Sequence, residues 1–444
     1  MSYRTHRFSW LHTAQTLGVS ALSYTDSAGT DDVSAGVDLD RLIDSQAKPQ
    51  HYGNAAVIRR VLLDLAGALQ KPTRIIIPAP HNFEAEGYAW CARESTDDVT
   101  YTDLDEDHSG ALVYISPCAG VPLDYCWDTA GSNGYRYIEL LSQKGWASTA
   151  ASFGEFFATR VWQPTTGHVH DWRPLPPASN QVLSRMDGGD TFSVVRGPGL
   201  REFEVTHTQV QAADLKGYDE LYASVEQHTA FWYEHSGSGG WGEVLLPLDT
   251  LSGTTDLNLV SSLQTAPDGT ASAATGLVTS NTSDARFEIP LAEAVDLRGM
   301  FLSLDVKYGT SIAISAADDC MLELRDANGG YTRYGIVKTR ISPPAASAEW
   351  HRIYIDPGAS DTFGSSSTLG SVDISAVTEI RFLMELGVSA RTMTVDDIRM
   401  WPKEAMPRRV RFAGVPDKTQ DNQIPTSSRG PTYTLRMRMI EETA

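Results

Sequence analysis

Between Leu302 and Met400 apolar and polar residues alternate in five short runs. They are Leu302/Leu304/Val306, Cys320/Leu322/Leu324, Ile353/Ile355, Ile380/Phe382/Met384 and Met393/Val395, with Ser303, Asp305, Glu323, Arg352 and Arg381 at intervening positions. A helix cannot use this spacing, because residues two apart lie on different sides of it. A strand can, with one face in a core and the other in water, so the runs predict an antiparallel sandwich. In the last run the parity breaks: Met393 and Val395 are odd, Ile398 and Met400 even. A β-bulge at Asp396-Asp397 is therefore predicted, since one extra residue returns both pairs to the core face.

The rest of the chain is punctuated by 36 Gly and 22 Pro, again the texture of many short strands. Strands are predicted at 75–77, 88–93, 111–115, 135–141 and 153–162, and the run Arg173-Pro174-Leu175-Pro176-Pro177 reads as a linker. Around 58–69 the apolar residues suit a helix (Ile58, Val61, Leu62, Leu65, Leu69) and a strand (Val61, Leu63, Leu65) equally. Further on, 191–196 and 200–207 read as a hairpin about Gly197-Pro198-Gly199. Leu215, Tyr218, Leu221, Tyr222 and Val225 mark one face of a helix. The final 42 residues (403–444) hold Val410/Phe412 and Tyr433/Leu435/Met437/Met439, too few strands to stand alone. They need a sheet to join, and 181–251 is likewise incomplete, so the two are predicted to pair with 252–402 inserted between them.

The expected fold class is thus mainly β. It comprises an N-terminal sandwich over 1–177, a discontinuous β domain with one helix from 181–251 plus 403–444, and a second sandwich over 252–402. A chain of 444 residues supports about three domains. The formal net charge of −20 opposes contact with phosphate backbones and anionic membranes, so neither nucleic-acid binding nor membrane insertion is expected. No apolar stretch approaches the roughly 18–20 residues of a membrane span, and residues 1–10 are too polar for a secretory leader. Cys91, Cys118, Cys126 and Cys320 form no CxxC pair, which excludes a zinc ribbon or a disulfide-dense scaffold.

Three further runs carry a resemblance: Asp38-Leu-Asp-Arg-Leu-Ile-Asp44, Val61-Leu-Leu-Asp-Leu65 and Arg74-Ile-Ile-Ile-Pro-Ala-Pro-His-Asn-Phe83. Together they resemble the N-terminal, discoidin-related jelly roll of minor tail proteins of long-tailed bacteriophages. The segments 181–251 and 403–444, with Phe231-Trp232-Tyr233 and the ending Met437-Arg-Met-Ile-Glu-Glu442, are similar to the distal-tail ring portion of such proteins. The insert, ending Thr394-Val-Asp-Asp-Ile-Arg-Met400, is similar to a carbohydrate-binding-module jelly roll. The resemblance implies that 58–65 is a strand. It also implies a non-enzymatic virion protein, made in the host cytoplasm and built into a tail tip or baseplate. Such a protein forms a homo-oligomeric ring, touches other tail proteins (tube, hub, tape-measure end) and displays jelly rolls to host surface polysaccharide. The alternatives are a glycan-degrading enzyme with a binding module, and a stand-alone carbohydrate-binding protein.

Few residues point to chemistry. Gly167-His-Val-His-Asp171 places two imidazoles on one side of a strand, a zinc spacing, but the alternating strands and helices of a metal-dependent barrel are absent. Asp97-Asp98 and Asp103-Leu-Asp-Glu-Asp107 crowd carboxylates without the glycine that turns a calcium loop. Asp396 is the better candidate for a structural calcium, because a bulge aims its side chain out of the ladder and the matching Asp of many carbohydrate-binding jelly rolls is a ligand. Neither a Gly-x-Ser-x-Gly elbow nor a phosphate-binding glycine loop occurs, Ser236-Gly237-Ser238-Gly239 being a loop in composition. No catalytic residue and no further cofactor are predicted. Tyr308, Tyr331, Tyr334, Trp350 and Tyr354 are either sugar platforms or core and edge packing, and the contact residues for a glycan stay unassigned.

Overall fold

The computed structural model describes residues 7–10, 21–26, 50–51, 59–65, 72–78, 81–83, 88–103, 113–115, 124–128, 135–143, 151–154, 157–164, 169–178, 181–185, 191–195, 200–227, 229–234, 243–246, 259–261, 275–279, 285–308, 320–335, 350–358, 372–384, 391–402, 407–420 and 431–441. The protein is mainly β, and its chain divides into two units. One combines Met1–His12, Thr159–Gly240 and Ala405–Ala444; the other combines Thr13–Ala158 and Trp241–Glu404.

The first unit is a sheet whose strands run, in spatial order, Val161–Trp162, Arg7–Ser9, Phe231–Glu234, Arg408–Phe412, Thr432–Glu441, Leu200–Gln211 and Val169–Ala178. Its C-terminal strand lies inside the sheet, with Phe203 opposite Met439, Val205 opposite Met437 and His207 opposite Leu435. Alternation puts Phe203, Val205, Leu435, Met437 and Met439 in one core and leaves Arg436 and Arg438 exposed. A bulge between His207 and Val210, with Gln209 at φ 62°, returns Val210 to that core. The helix Ala212–Val225 closes the layer through Tyr218, Leu221 and Val225, the stripe expected from the sequence.

Three expectations change here. Residues 173–177 do not form a linker: Val169–Ala178 is a strand paired along Leu200–Gln211. It stands at the end of the sheet order, where a proline's missing N–H breaks no ladder on its outer side. Nor do 191–196 and 200–207 pair with each other. Thr191–Val195 pairs with Gln181–Arg185, while Leu200–Gln211 is taken up on both sides by 169–178 and 432–441. The boundary expected at 177 falls instead between Ala158 and Thr159, because Val161–Trp162 pairs with Arg7–Ser9 inside the first unit.

Gly217 sits where the helix meets Trp162, and a Cβ there would overlap the indole ring. Alanine in a free helix gains about 1 kcal/mol over glycine. Gly217→Ala is nevertheless expected to destabilise this protein by roughly 1–2 kcal/mol, because overpacking costs more than the propensity returns. A urea melt followed by Trp fluorescence reads the sign directly.

The second unit is organised around a 12-stranded sheet whose main path is Ala21–Asp26, Arg59–Asp64, Tyr137–Gln143, Ala89–Ser95, Val113–Ile115, Trp350–Ile355, Met300–Tyr308, Arg391–Pro402, Thr275–Thr279 and Leu259–Ser261. The segment left open between helix and strand is thus the strand Arg59–Asp64. Every pairing on this path is antiparallel except one: Val113–Ile115 and the first half of Trp350–Ile355 run parallel over three residue pairs. The same sheet therefore serves two sandwiches, one from the N-terminal part of the chain and one from 241–404.

The two cores lie on opposite faces of this sheet. Val61, Leu63, Trp90, Ala92, Ile115, Ile138 and Leu140 belong to the first core, with Ile75 and Ile77 of the strand Arg74–Ile77 packed against them. Leu302, Leu304, Val306, Ile353, Ile355, Val395 and Ile398 belong to the second. It is closed by a four-stranded sheet ordered Ala285–Val295, Val377–Met384, Cys320–Asp326 and Tyr331–Gly335. Ile115 of the first core pairs with Arg352, whereas Tyr114 pairs with His351, which shares the parity of Ile353 and Ile355. Adjacent positions on a strand point to opposite faces, so the seam changes sides. The predicted bulge is present: Leu304 faces Ile398 and Asp305 faces Asp396, leaving Asp397 over, and both Val395 and Ile398 are buried.

At the seam His351 stacks on Tyr114, with ring centroids 5.5 Å apart. Burial pushes its pKa from 6.5 down to about 3, so the folded protein holds it neutral. The unfolded chain binds the proton first, so this group's contribution is complete above pH 6.5 and is lost as pH falls toward about 3. The slope is at most ~1.4 kcal/mol per pH unit. His351→Phe, which keeps a ring on Tyr114, is expected to flatten the pH dependence of the urea midpoint across that window.

Candidate functional site

Two places in the second unit gather charged and aromatic side chains on the sheet faces opposite the cores. In the N-terminal sandwich the centre is Glu139, directly across from Arg93 and diagonal to Arg60 through the Leu141–Arg60 pair. Cross-strand neighbours of this kind are within reach of long side chains. Arg93 donates from Nε to Glu139 Oε2 at 2.6 Å and again from Nη2, while Arg60 donates from Nε to Oε1. The Glu139 side chain is 2% exposed and each arginine 24%. Both guanidinium carbons sit by the ring of Tyr101, at 5.3 Å for Arg60 and 5.0 Å for Arg93.

A tight turn delivers that tyrosine. Asp97 Oδ1 accepts the backbone N–H groups of Val99 (2.9 Å) and Thr100 (2.8 Å), bonds that hold the carboxyl below its ordinary range. The Tyr101 hydroxyl then donates to Asp98 and accepts from Arg60, which also donates to Asp98 at 2.7 Å.

The second sandwich carries a similar arrangement on its four-stranded sheet. One cross-strand row reads Glu288, Arg381, Glu323, Arg333. The next has Glu379, Arg325 and Tyr331. Opposite charges are neighbours throughout, the stabilising pattern for paired strands. The Glu323 side chain is fully buried; Arg325 donates to Oε1, Arg333 to Oε2 at 2.6 Å, and Arg381 lies 3.8 Å away. Arg381 is held at the same time by Glu379 (3.0 Å) and Glu288 (3.1 Å). Tyr331 has the Arg325 and Arg333 guanidinium carbons at 5.0 and 4.9 Å from its ring centre. Each site thus joins a buried glutamate to one tyrosine flanked by two arginines, with Arg381 as a third arginine at Glu323.

The sequence named Tyr331 as a possible sugar platform, Asp97 and Asp98 as clustered carboxylates, and Glu323 and Arg381 only as polar members of alternating strands. Pairing register, which a single strand does not encode, brings them together. The named candidates fare differently. Asp396 lies in the bulge opposite Asp305, and its side chain falls outside the described residues; Asp305 itself takes two bonds from Arg352, at 2.9 and 3.0 Å. Among the described residues no group of three or more His, Cys, Asp or Glu is arranged to hold a metal ion. The backbone of His170 pairs opposite His207, while His168 and 104–107 lie outside the described residues, as does Ser236-Gly237-Ser238-Gly239. Asp97 and Asp98 serve the turn and the Arg60 pair rather than a calcium loop. Tyr334 and Trp350 are buried, Tyr354 packs on the first core, and only the backbone of Tyr308 is described. Cys91 is buried and Cys126 half-buried.

No protein-family model matches the chain, nor does any curated protein. Solved structures with a similar arrangement of strands include an exo-β-agarase at 16% identity and TM-score 0.27, covering 37% of this chain and 26% of that one. A family 11 carbohydrate-binding module of a Clostridium thermocellum cellulosomal cellulase gives 14% identity and TM-score 0.25, covering 37% of this chain and 96% of the module. A fucolectin from Morone saxatilis serum gives 11% and 0.19, covering 86% and 96%. The chain spans about a quarter of the agarase's length. At these scores the likeness is a distant one of β-sandwich form.

Proposed function

We propose that the chain is a non-catalytic structural protein of a bacteriophage tail tip, whose first unit assembles into a ring and whose second unit faces host polysaccharide. The observation that carries this reading is the place of Thr432–Glu441 inside the first unit's sheet. A domain that takes strands from 7–9, from the middle of the chain and from its C-terminal end secures both connections to the 241–404 excursion. A ring of such domains hides sheet edges between subunits. Glu139 and Glu323 are each engaged by two or more arginines, which fits a structural use of these carboxylates.

Negative-stain images of virions treated with an antibody to this chain are expected to show label at the tail tip. Label on the head, or none on particles, overturns the assignment. Host cell-wall polysaccharide incubated with the purified protein is expected to release no reducing ends; turnover would favour the glycan-degrading alternative.

A further inference from the structure

The acidity of the chain is not shared between its units. The first unit has 15 Lys and Arg against 14 Asp and Glu, the second 21 against 42, together the 36 and 56 of the whole sequence. One unit is therefore near neutrality at +1, and the other carries −21. A field of that sign raises the cost of bringing up any polyanion and is felt over about 8–10 Å at ordinary ionic strength.

Within that field the two arginine–tyrosine sites are balanced. Arg325, Arg333 and Arg381 stand against Glu288, Glu323 and Glu379; Arg60 and Arg93 stand against Glu139 and Asp98. Neither site has positive charge to spare for a phosphate, sulfate or uronate. What each does have is guanidinium donors on a half-buried arginine beside a ring. Arg325 spends only Nε on Glu323, so among the described residues both of its terminal nitrogens are without an acceptor. Arg93 likewise keeps one terminal nitrogen uncommitted. A planar guanidinium fork fixed in orientation by a buried carboxylate matches adjacent oxygen acceptors, and the tyrosine adds an apolar edge.

We infer that the second unit holds an uncharged polysaccharide at two like sites, one at Arg93 and Tyr101, the other at Arg325 and Tyr331. This rests on the reading of the second unit as the glycan-facing part and adds the chemical class of the glycan. Two weak sites on one chain reinforce each other on a polymer long enough to meet both, and copies in a ring multiply the effect.

The test uses the full chain in a binding titration with three probes: a neutral linear β-glucan, a neutral dextran and polygalacturonate. The expected result is saturable binding of a neutral polymer and none of polygalacturonate, with affinity unchanged from about 50 to about 500 mM salt. Tyr331→Ala and Tyr101→Ala are each expected to weaken it about tenfold, and the double variant to abolish it. Arg325→Lys, which keeps the charge and removes the fork, is expected to weaken it severalfold. Tighter binding of polygalacturonate, or neutral-polymer binding that survives in the double variant with its fold intact, overturns the inference while the glycan-facing reading stands. Binding of none of the probes, with virions labelled at the tail tip, overturns the inference and leaves the tail assignment in place.

Discussion

A chain ending at residue 430 is expected to lose the cooperative unfolding transition of its first unit. The missing strand, Thr432–Glu441, pairs with Leu200–Gln211 on one side and with Arg408–Phe412 and Asp417–Gln420 on the other, so its removal splits the sheet. It also withdraws Leu435, Met437 and Met439, each at most 1% exposed. Truncating one such side chain costs roughly 2–5 kcal/mol, and a whole domain holds only about 5–15 kcal/mol in reserve. Three at once exceed that margin. Proteolysis should then cut within 159–240 while fragments of 13–158 and 241–404 persist; a truncated chain with an unaltered melt would show that the unit does not depend on this strand.

Glu323→Ala is the second large effect, expected to lower stability by about 3 kcal/mol. The carboxylate is fully buried between Arg325 and Arg333 with Arg381 close by, and removing one partner of a buried ion pair strands the others. The three arginines are 15–24% exposed, so water recovers part of the loss and the value falls at the low end of the usual range. Glu323→Gln, which keeps an oxygen acceptor, should cost less, and Glu139→Ala should resemble Glu323→Ala. Urea midpoints of the three variants test this ordering.

Much of the fold is legible in period-two alternation. The strands at 302–306, 320–324, 353–355 and 380–384, the bulge at Asp396-Asp397 and the buried stripe Tyr218/Leu221/Val225 follow from apolar spacing alone. What failed was partner choice. Thr191–Val195 looks as well suited to Leu200–Gln211 as to Gln181–Arg185, because a glycine-rich turn advertises a hairpin without excluding a better partner from elsewhere in the chain. The proline run 173–177 misled for a related reason: proline penalises an interior strand but is tolerated where one edge stays unpaired. Of the candidate site only Tyr331 was singled out as a possible sugar contact, and the charged cluster around it was hidden for a third. Arg381 is far from Glu323 in sequence and Arg333 lies across a hairpin from it, and only the register that sets them side by side turns three unremarkable polar residues into a cluster.

The parallel seam has a mechanical consequence. Beads on a string respond to a pull by swinging on their tether, but two cores that borrow layers from one continuous β ribbon have no such tether at 113–115 and 350–352. A tug on either sandwich that crosses this sheet travels as shear across backbone rungs, and these yield only when several break together. The joint is short, three residue pairs at the parallel seam and the single pair Trp90–Ile115 beside it, so few rungs carry that shear.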